Sequence, residues 1–206
     1  MNLILIGGGT ASGKTTFAKS LANDIKKETT VSLIEMDNYY FEEQTLKAMG
    51  IDIINWDHPN SINWKQLNED IEELLAGNTV KKPKFDHKSN AYLGSVTIKP
   101  GKVIIVEGIF ALYDKELIKK SKRRIYVHTD SDVRLIRRLM RDKSSRFSKD
   151  FTDTDFLTAW EQDIKPMHDK YIEPTKKRAH IVINKTLHDI KDSNSSIINL
   201  LQNKIK

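Results

Sequence analysis

Eight consecutive residues, Gly8-Gly9-Thr10-Ala11-Ser12-Gly13-Lys14-Thr15, carry the spacing G-x-x-x-x-G-K-[ST]. Glycines at these positions let backbone N–H groups turn inward around phosphate oxygens. A helix starting there adds the partial positive charge of its N-terminus. Lys14 would then reach the β- and γ-phosphates and the Thr15 hydroxyl would ligate Mg²⁺, with Thr16 beside it in the first helical turn. The flanks are those the spacing needs, because the apolar run Leu3–Ile6 precedes it and a helical pattern follows. ATP or GTP with Mg²⁺ is the expected ligand.

Two acids sit where such a loop could use them. The hydrophobic run Val103–Val106 ends in Glu107-Gly108, and a carboxylate at the end of a buried strand is placed to serve the Mg²⁺ side. The run Val31–Met36 ends in Asp37, at the carboxyl edge where ligands of α/β sheets bind. There it can orient or deprotonate an attacking hydroxyl, or simply cap a turn. A guanine-specifying Asn-Lys-x-Asp is not formed, because Asn184-Lys185-Thr186-Leu187 has Leu in the place of the Asp. A phosphotransferase therefore fits better than a switch GTPase.

The chain has 34 Lys+Arg against 28 Asp+Glu, a net charge of +6. Residues 115–150 hold thirteen of the cations and five of the acids, so this block is +8 and the remainder is −2. Arg134, Arg137, Arg138 and Arg141 fall at i, i+3, i+4 and i+7, one face of a helix, with Leu135, Ile136, Leu139 and Met140 opposite. The expectation is a helix that packs its apolar side and presents a guanidinium stripe suited to bidentate phosphate contact. Arg146 continues it into a polar stretch, Ser144–Thr154, that reads as a mobile loop, and residues 134–154 together read as a lid that excludes water.

These residues need a scaffold of strands ending on one edge. Short apolar runs at Leu3–Ile6, Val31–Met36, Val103–Val106, Ile125–Val127 and Ile181–Ile183 lack polar alternation, as strands buried on both faces do. Helical patterns at Lys14–Lys27, Trp64–Leu75 and Ser131–Lys143 alternate with them. Trp64, Leu67, Ile71 and Leu74 recur at helical spacing and are assigned to the core. The fold class is α/β, three layers with a mainly parallel sheet. Residues 79–99 read instead as a small β-hairpin-like annex. The chain's 206 residues, without repeats or linkers, imply one domain over 1–206. The absence of Cys removes disulfides and thiolate chemistry. Met1–Ile6 has no basic segment before it and no later run approaches membrane-spanning length, so a soluble cytoplasmic protein is expected.

The ordered stretches Gly8–Thr15, Met36-Asp37-Asn38-Tyr39-Tyr40, Asn55-Trp56-Asp57-His58-Pro59, Pro83-Lys84-Phe85-Asp86, Val106-Glu107-Gly108-Ile109, Val127–Asp142 and Lys165-Pro166 through Glu173-Pro174-Thr175 resemble the uridine–cytidine kinases. These belong to the phosphoribulokinase/uridine kinase group of P-loop kinases, and the resemblance spans roughly residues 1–185. It implies pyrimidine salvage, with Asp37 as general base for a nucleoside 5′-hydroxyl, Asp57 holding the ribose hydroxyls and Glu107 on the Mg²⁺ side. It implies Trp56 and Phe85 lining the nucleoside pocket, with Tyr39 beside them. It sets Arg134 and Arg137 near ribose and phosphate, Arg137 with a catalytic part, and Arg138, Arg141 and Arg146 in the lid region. Arg138 and Arg141 are assigned to the phosphate donor and Arg146 to the acceptor. A homo-oligomer, often a tetramer, is also implied, and no nucleic-acid or membrane partner.

Three positions depart from the family pattern. Asn90 stands where a base-reading His is usual, Ser148 replaces an Arg two residues after Arg146, and Ala159 replaces a glutamine. They leave the acceptor open between uridine or cytidine and another small hydroxylic metabolite. A nucleotide-gated nucleic-acid module using residues 115–149 is a third reading, but Tyr126 and Phe147 are its sole aromatics for stacking. Of the histidines, His58 is expected to fix its turn, His168 to lie on a helix surface, and His87 to stay out of the pocket more readily than enter it.

Overall fold

Side chains at Leu3 and Leu5 pack with Ile34, Ile104 and Val106, whereas Ile4 and Ile6 pack with Phe17, Leu21, Ile105 and Val127. Strands with apolar side chains on both faces must be covered on both. The computed structural model describes residues 1–145 and 152–184 and builds that arrangement. In chain order its elements are β1 (Asn2–Gly8), α1 (Lys14–Ile25), β2 (Val31–Glu35), a 3₁₀ turn (Met36–Tyr39), α2 (Glu43–Ala48), a second 3₁₀ turn (Pro59–Ser61) and α3 (Trp64–Ala76). Then follow β3 (Val80–Asp86), β4 (Ala91–Ile98), β5 (Val103–Glu107), α4 (Lys115–Lys120), β6 (Arg123–His128), α5 (Ser131–Ser145), α6 (Asp153–Ala159) and β7 (Ile181–Asn184).

The main sheet has the order β2-β5-β1-β6-β7 with every pairing parallel. Its register sets the chemistry, because Glu107 lies opposite Ile6 of β1 and Glu35 of β2. Both acids therefore stand level at the carboxyl edge, beside the turn where β1 leaves the sheet. β3 and β4 form a separate antiparallel pair, the expected hairpin, with a register shift between Pro83 and Phe85. The hairpin is tied to the main body at its base. Phe85 N–H donates to Asn38 Oδ1 (3.3 Å), Tyr92 N–H to Glu42 Oε1 (2.9 Å) and the Tyr92 hydroxyl to the Tyr40 carbonyl (2.6 Å).

Three expectations need correction. The polar stretch 144–154 is not all loop, since α5 runs through Ser145 and α6 begins at Asp153. Thr152 caps α6 and forms a reciprocal capping box with Asp155. Residues 146–151 and 185–206, including Arg146, Ser148 and Lys185, lie outside the described residues. The basic block is also not one surface. Lys115, Lys119 and Lys120 lie on α4, while Arg123 and Arg124 open β6 opposite Ile4 and Leu5, at the sheet edge away from the phosphate loop. Last, the apolar side of α5 packs only in part. Leu135 and Leu139 meet Phe156, Trp160 and Ile164, but Ile136 and Met140 are 53% and 68% exposed.

After α6 the chain continues helically to Arg178 with two π turns, Trp160–Ile164 and His168–Ile172. Lys165 N–H reaches back five residues to Trp160 O, and Glu173 N–H likewise to His168 O. Pro166 and Pro174, which follow these positions, lack the N–H that regular α-turns would use.

Candidate active site

Gly8 ends β1 at φ +146°, and a Cβ built there would stand 2.4 Å from the Val127 carbonyl, so no other residue fits. The loop closes through Ser12 N–H to Gly9 O (3.1 Å), and Gly13 at φ +87° opens α1. Lys14 is buried and reaches the space above the loop. The Thr15 hydroxyl donates to Glu107 Oε1 at 2.9 Å. Glu107 is itself buried, and its Oε2 has no hydrogen-bond partner among the described residues. Burial pushes this carboxyl up to about 7; the Lys14 charge opposes that, and Asp37 adds to it. Beside it, Glu35 is raised by burial but lowered further by Lys19 and Lys82, both of which it ion-pairs.

A buried carboxylate oxygen without a donor, next to a hydroxyl, is a ready place for a hard cation. Mg²⁺ needs one or two protein oxygens when phosphates and water supply the rest. Among the described residues no group of three His, Cys, Asp or Glu could hold a metal alone. Thr15 and Glu107 fit the first arrangement.

Among the described residues, cavities of about 390 and 510 Å³ open on this edge. The larger is lined by Ala11, Gly13, Thr15, Thr16, Glu35, Phe85, Glu107 and Arg137. The smaller is lined by Thr10, Tyr40, Trp56, Asp57, Asn90, Arg138 and Asp142. Lys14, Asp37, His87 and Arg141 line both. Asp37 thus faces the phosphate loop from one side and the second cavity from the other. It stands in the first turn of the Met36–Tyr39 3₁₀ segment, directly off β2.

The smaller cavity has an aromatic wall and a charged one. Tyr40 meets Trp56 edge-on at 5.7 Å, Phe85 at 5.6 Å and His87 at 5.8 Å between ring centres. Opposite, Asp57 is buried and its Oδ1 accepts from Arg138 Nη1 at 3.0 Å. Arg138 Nε and Arg141 Nε donate to the two oxygens of the buried Asp142, at 3.2 and 2.8 Å. The Asp57 loop is fixed from behind. His58 Nδ1 accepts the Asn60 N–H (3.1 Å), its Nε2 lies 2.9 Å from the Tyr171 hydroxyl, and Asn55 Nδ2 donates to Asp163 (3.0 Å). Such a cavity can take a flat ring on one side and a polar, hydroxyl-bearing group on the other.

Most of the predicted residues are brought together here, and several are placed otherwise. Tyr39 is not at the cavity. It is fully buried, its hydroxyl donating to Asp70 Oδ2 at 2.7 Å, and the ring that lines the cavity is Tyr40. Arg134 lines neither cavity; it is buried, with Nε on the Thr129 carbonyl (3.1 Å) and its guanidinium 5.6 Å from the Trp160 ring centre. Arg138 sits on Asp57 instead of over the phosphate loop. His168 is not a surface residue but a buried one, lowered to about 4 first by burial and then by the Arg134 charge. His87 does enter the site, 4.0 Å from Asp37. Asn90, at φ +51°, lines the cavity and donates from Nδ2 to Glu43 (3.2 Å). Sequence reasoning passed over Tyr40 and Asp142, although Asp142 follows the arginine stripe directly and its sign was the available signal.

A sequence model of the Phosphoribulokinase / Uridine kinase family matches residues 3–190. A uridine kinase of Clostridium novyi (strain NT) is 41% identical over 186 residues, covering 89% of this chain and 88% of that one. A uridine kinase of Ureaplasma parvum serovar 3 (strain ATCC 27815) is 35% identical over 182 residues, covering 88% and 86%. Among solved structures, phosphoribulokinase from Rhodobacter spheroides shares the fold with a TM-score of 0.66 at 12% identity, over 89% of this chain and 69% of that one.

Proposed function

The chain belongs to the phosphoribulokinase/uridine kinase family, and from that premise we propose that it transfers the γ-phosphate of ATP or GTP to the 5′-hydroxyl of uridine or cytidine. The observation that carries the reading is that Lys14 and Asp37 line both cavities, the one over the phosphate loop and the one walled by Tyr40, Trp56 and Asp57. A phosphoryl group held by the loop and a hydroxyl held beside Asp37 would share one boundary, which is what in-line transfer requires.

In this reading the loop amides and Lys14 hold the β- and γ-phosphates, while Trp56 and Tyr40 receive the base, with Phe85 packed against both rings. Asp57 accepts from the ribose hydroxyls. Asp37 takes the 5′-hydroxyl proton as the new O–P bond forms and the bond from the γ-phosphorus to the bridging oxygen breaks, the electrons leaving on the diphosphate. Arg137 and Arg141, which line the larger cavity, stabilise the charge in passage. Thr15 and Glu107 would hold Mg²⁺, which when bound neutralises charge on the phosphate oxygens. A cytoplasmic homo-oligomer belongs to the same proposal.

The test is nucleoside-dependent ADP formation, followed in parallel with uridine, cytidine, purine nucleosides and non-nucleoside alcohols. Pyrimidine ribonucleosides are expected to give the highest kcat/KM. Stimulation by another hydroxylic metabolite alone would replace the acceptor and leave the phosphoryl transfer.

A further inference from the structure

Arg134 is a buried cation that neither cavity uses. It is 3% exposed, and its Nη1 has no hydrogen-bond partner among the described residues. What Nη1 does approach is the phosphate loop: a Cβ built on Gly9 would stand 2.9 Å from Nη1 and 2.9 Å from His168 Cε1. A second link runs through Thr129, whose carbonyl accepts from Arg134 Nε (3.1 Å) and whose hydroxyl lies 3.1 Å from the Ser12 carbonyl of the same loop. On its other side the guanidinium faces the Trp160 ring at 5.6 Å. Three segments therefore converge behind the loop: the start of α5, the helical run after α6, and the end of β6.

Glu173 accepts from the Tyr126 hydroxyl (2.8 Å), lies 3.5 Å from His168 Nε2 and pairs with Lys176 (3.6 Å). Among the described residues Asp169 is a further acid within electrostatic reach, and Arg138 a neighbouring cation. His168 is held neutral at physiological pH by burial and by Arg134 itself. Arg134 thus supplies the fixed positive charge directly behind Gly9. In a site of low dielectric a charge there acts on bound phosphates without touching them.

We propose that Arg134 is a positioning residue for the phosphate donor, holding the loop at Gly9 and Ser12 and adding positive potential from behind it, and that it has no part in acceptor binding. The proposal rests on the reading of the loop as a nucleotide cradle. It departs from the role that resemblance alone assigns to Arg134.

Equilibrium binding of ATP with Mg²⁺ to Arg134→Met, Arg134→Lys and wild type, by calorimetry, is the direct test, with KM for uridine measured alongside. Arg134→Met keeps length and apolar packing on Trp160 but removes the charge. Its ATP dissociation constant is expected to rise by about tenfold or more, with KM for uridine within about twofold. Arg134→Lys should recover part of the loss, which a purely packing role would not predict. Gly9→Ala, which displaces the guanidinium from the loop, provides a second variant if Arg134→Met does not fold, and is expected to weaken ATP binding in the same direction. Raised KM for uridine with unchanged ATP affinity would overturn the proposal, as would unchanged values of both. ATP binding needs no acceptor, so a wild-type chain that binds ATP yet ignores uridine would refute the acceptor assignment alone.

Discussion

Arg138 Nη1 donates to Asp57 Oδ1 at 3.0 Å while Nε of the same guanidinium donates to Asp142 Oδ2 at 3.2 Å. One side chain of α5 thereby sets the orientation of the carboxylate proposed to hold the acceptor's hydroxyls. Removing one partner of such a buried pair strands the other charge, at a cost of about 3–5 kcal/mol. Arg138→Met is therefore expected to raise acceptor KM about tenfold or more and to lower the melting temperature, with ATP affinity within about twofold. Steady-state kinetics with each substrate varied separately decides it; an unchanged acceptor KM would sink the assignment.

Asp37 lines both cavities, as do Lys14 and Arg141. General-base assistance contributes about 10²–10⁴ to rate, so Asp37→Asn should lose turnover in that range while ATP binds within about threefold of wild type. Single-turnover kinetics with calorimetry on the same sample measures both. Turnover retained within tenfold of wild type would assign the proton to another group.

Glu107 makes opposite predictions for stability and activity. Its folded carboxyl titrates at about 7 against an ordinary 4.5, because burial disfavours the charge. Between these values the folded chain keeps a proton that the unfolded chain releases, so the group's contribution is full below 4.5 and is lost as pH rises through 7. In Glu107→Gln that loss cannot occur. The metal-free variant should exceed wild type by roughly 1–3 kcal/mol at pH 8 and by little at pH 4.5, while its Mg²⁺-dependent turnover collapses. Thermal melts in a chelator at the two pH values test it, and a variant less stable than wild type at pH 8 would sink the idea.

The strands and the loop were legible because one physical rule suffices for each. A run such as Val103–Val106, short and entirely β-branched, favours a strand covered on both faces, and the glycine spacing at Gly8–Gly13 has few other uses. What stayed hidden depends on tertiary partners. Which of Tyr39 and Tyr40 turns inward follows from the 3₁₀ turn that ends at Tyr39, whose pitch matches neither the strand nor the α-helical period. Arg134 and Arg138 lie inward on α5 while Ile136 and Met140 lie outward, the reverse of a hydropathy reading. The acids and rings that make burial tolerable for them, Asp57, Glu173 and Trp160, come from elsewhere in the chain. The burial of His168 is hidden for the same reason, since the π turn at Trp160–Ile164 that precedes it shifts the helical face on which it falls.

Tyr171 lies far in sequence from the loop of residues 55–59, proposed to hold the acceptor, and yet contacts it. Its hydroxyl is 2.9 Å from His58 Nε2, with the rings edge-on at 4.9 Å. His58 Nδ1 accepts the Asn60 N–H, so the proton of the neutral ring sits on Nε2 and is donated to Tyr171 Oη. Burial, then the nearby Lys170 charge, lowers the His58 pKa and favours that neutral form. Tyr171→Phe keeps the ring packing and deletes the acceptor, a change of about 1 kcal/mol or some fivefold in an equilibrium. Because the neighbouring Asp57 and Trp56 belong to the same loop, the loss should appear as a rise of about threefold to tenfold in acceptor KM, with kcat and ATP affinity held. Adding Asn55→Ala, which severs the second tie to Asp163, should raise KM further. A loss of kcat at saturating acceptor, with KM unchanged, would show that Tyr171 acts on the chemistry instead of on the loop.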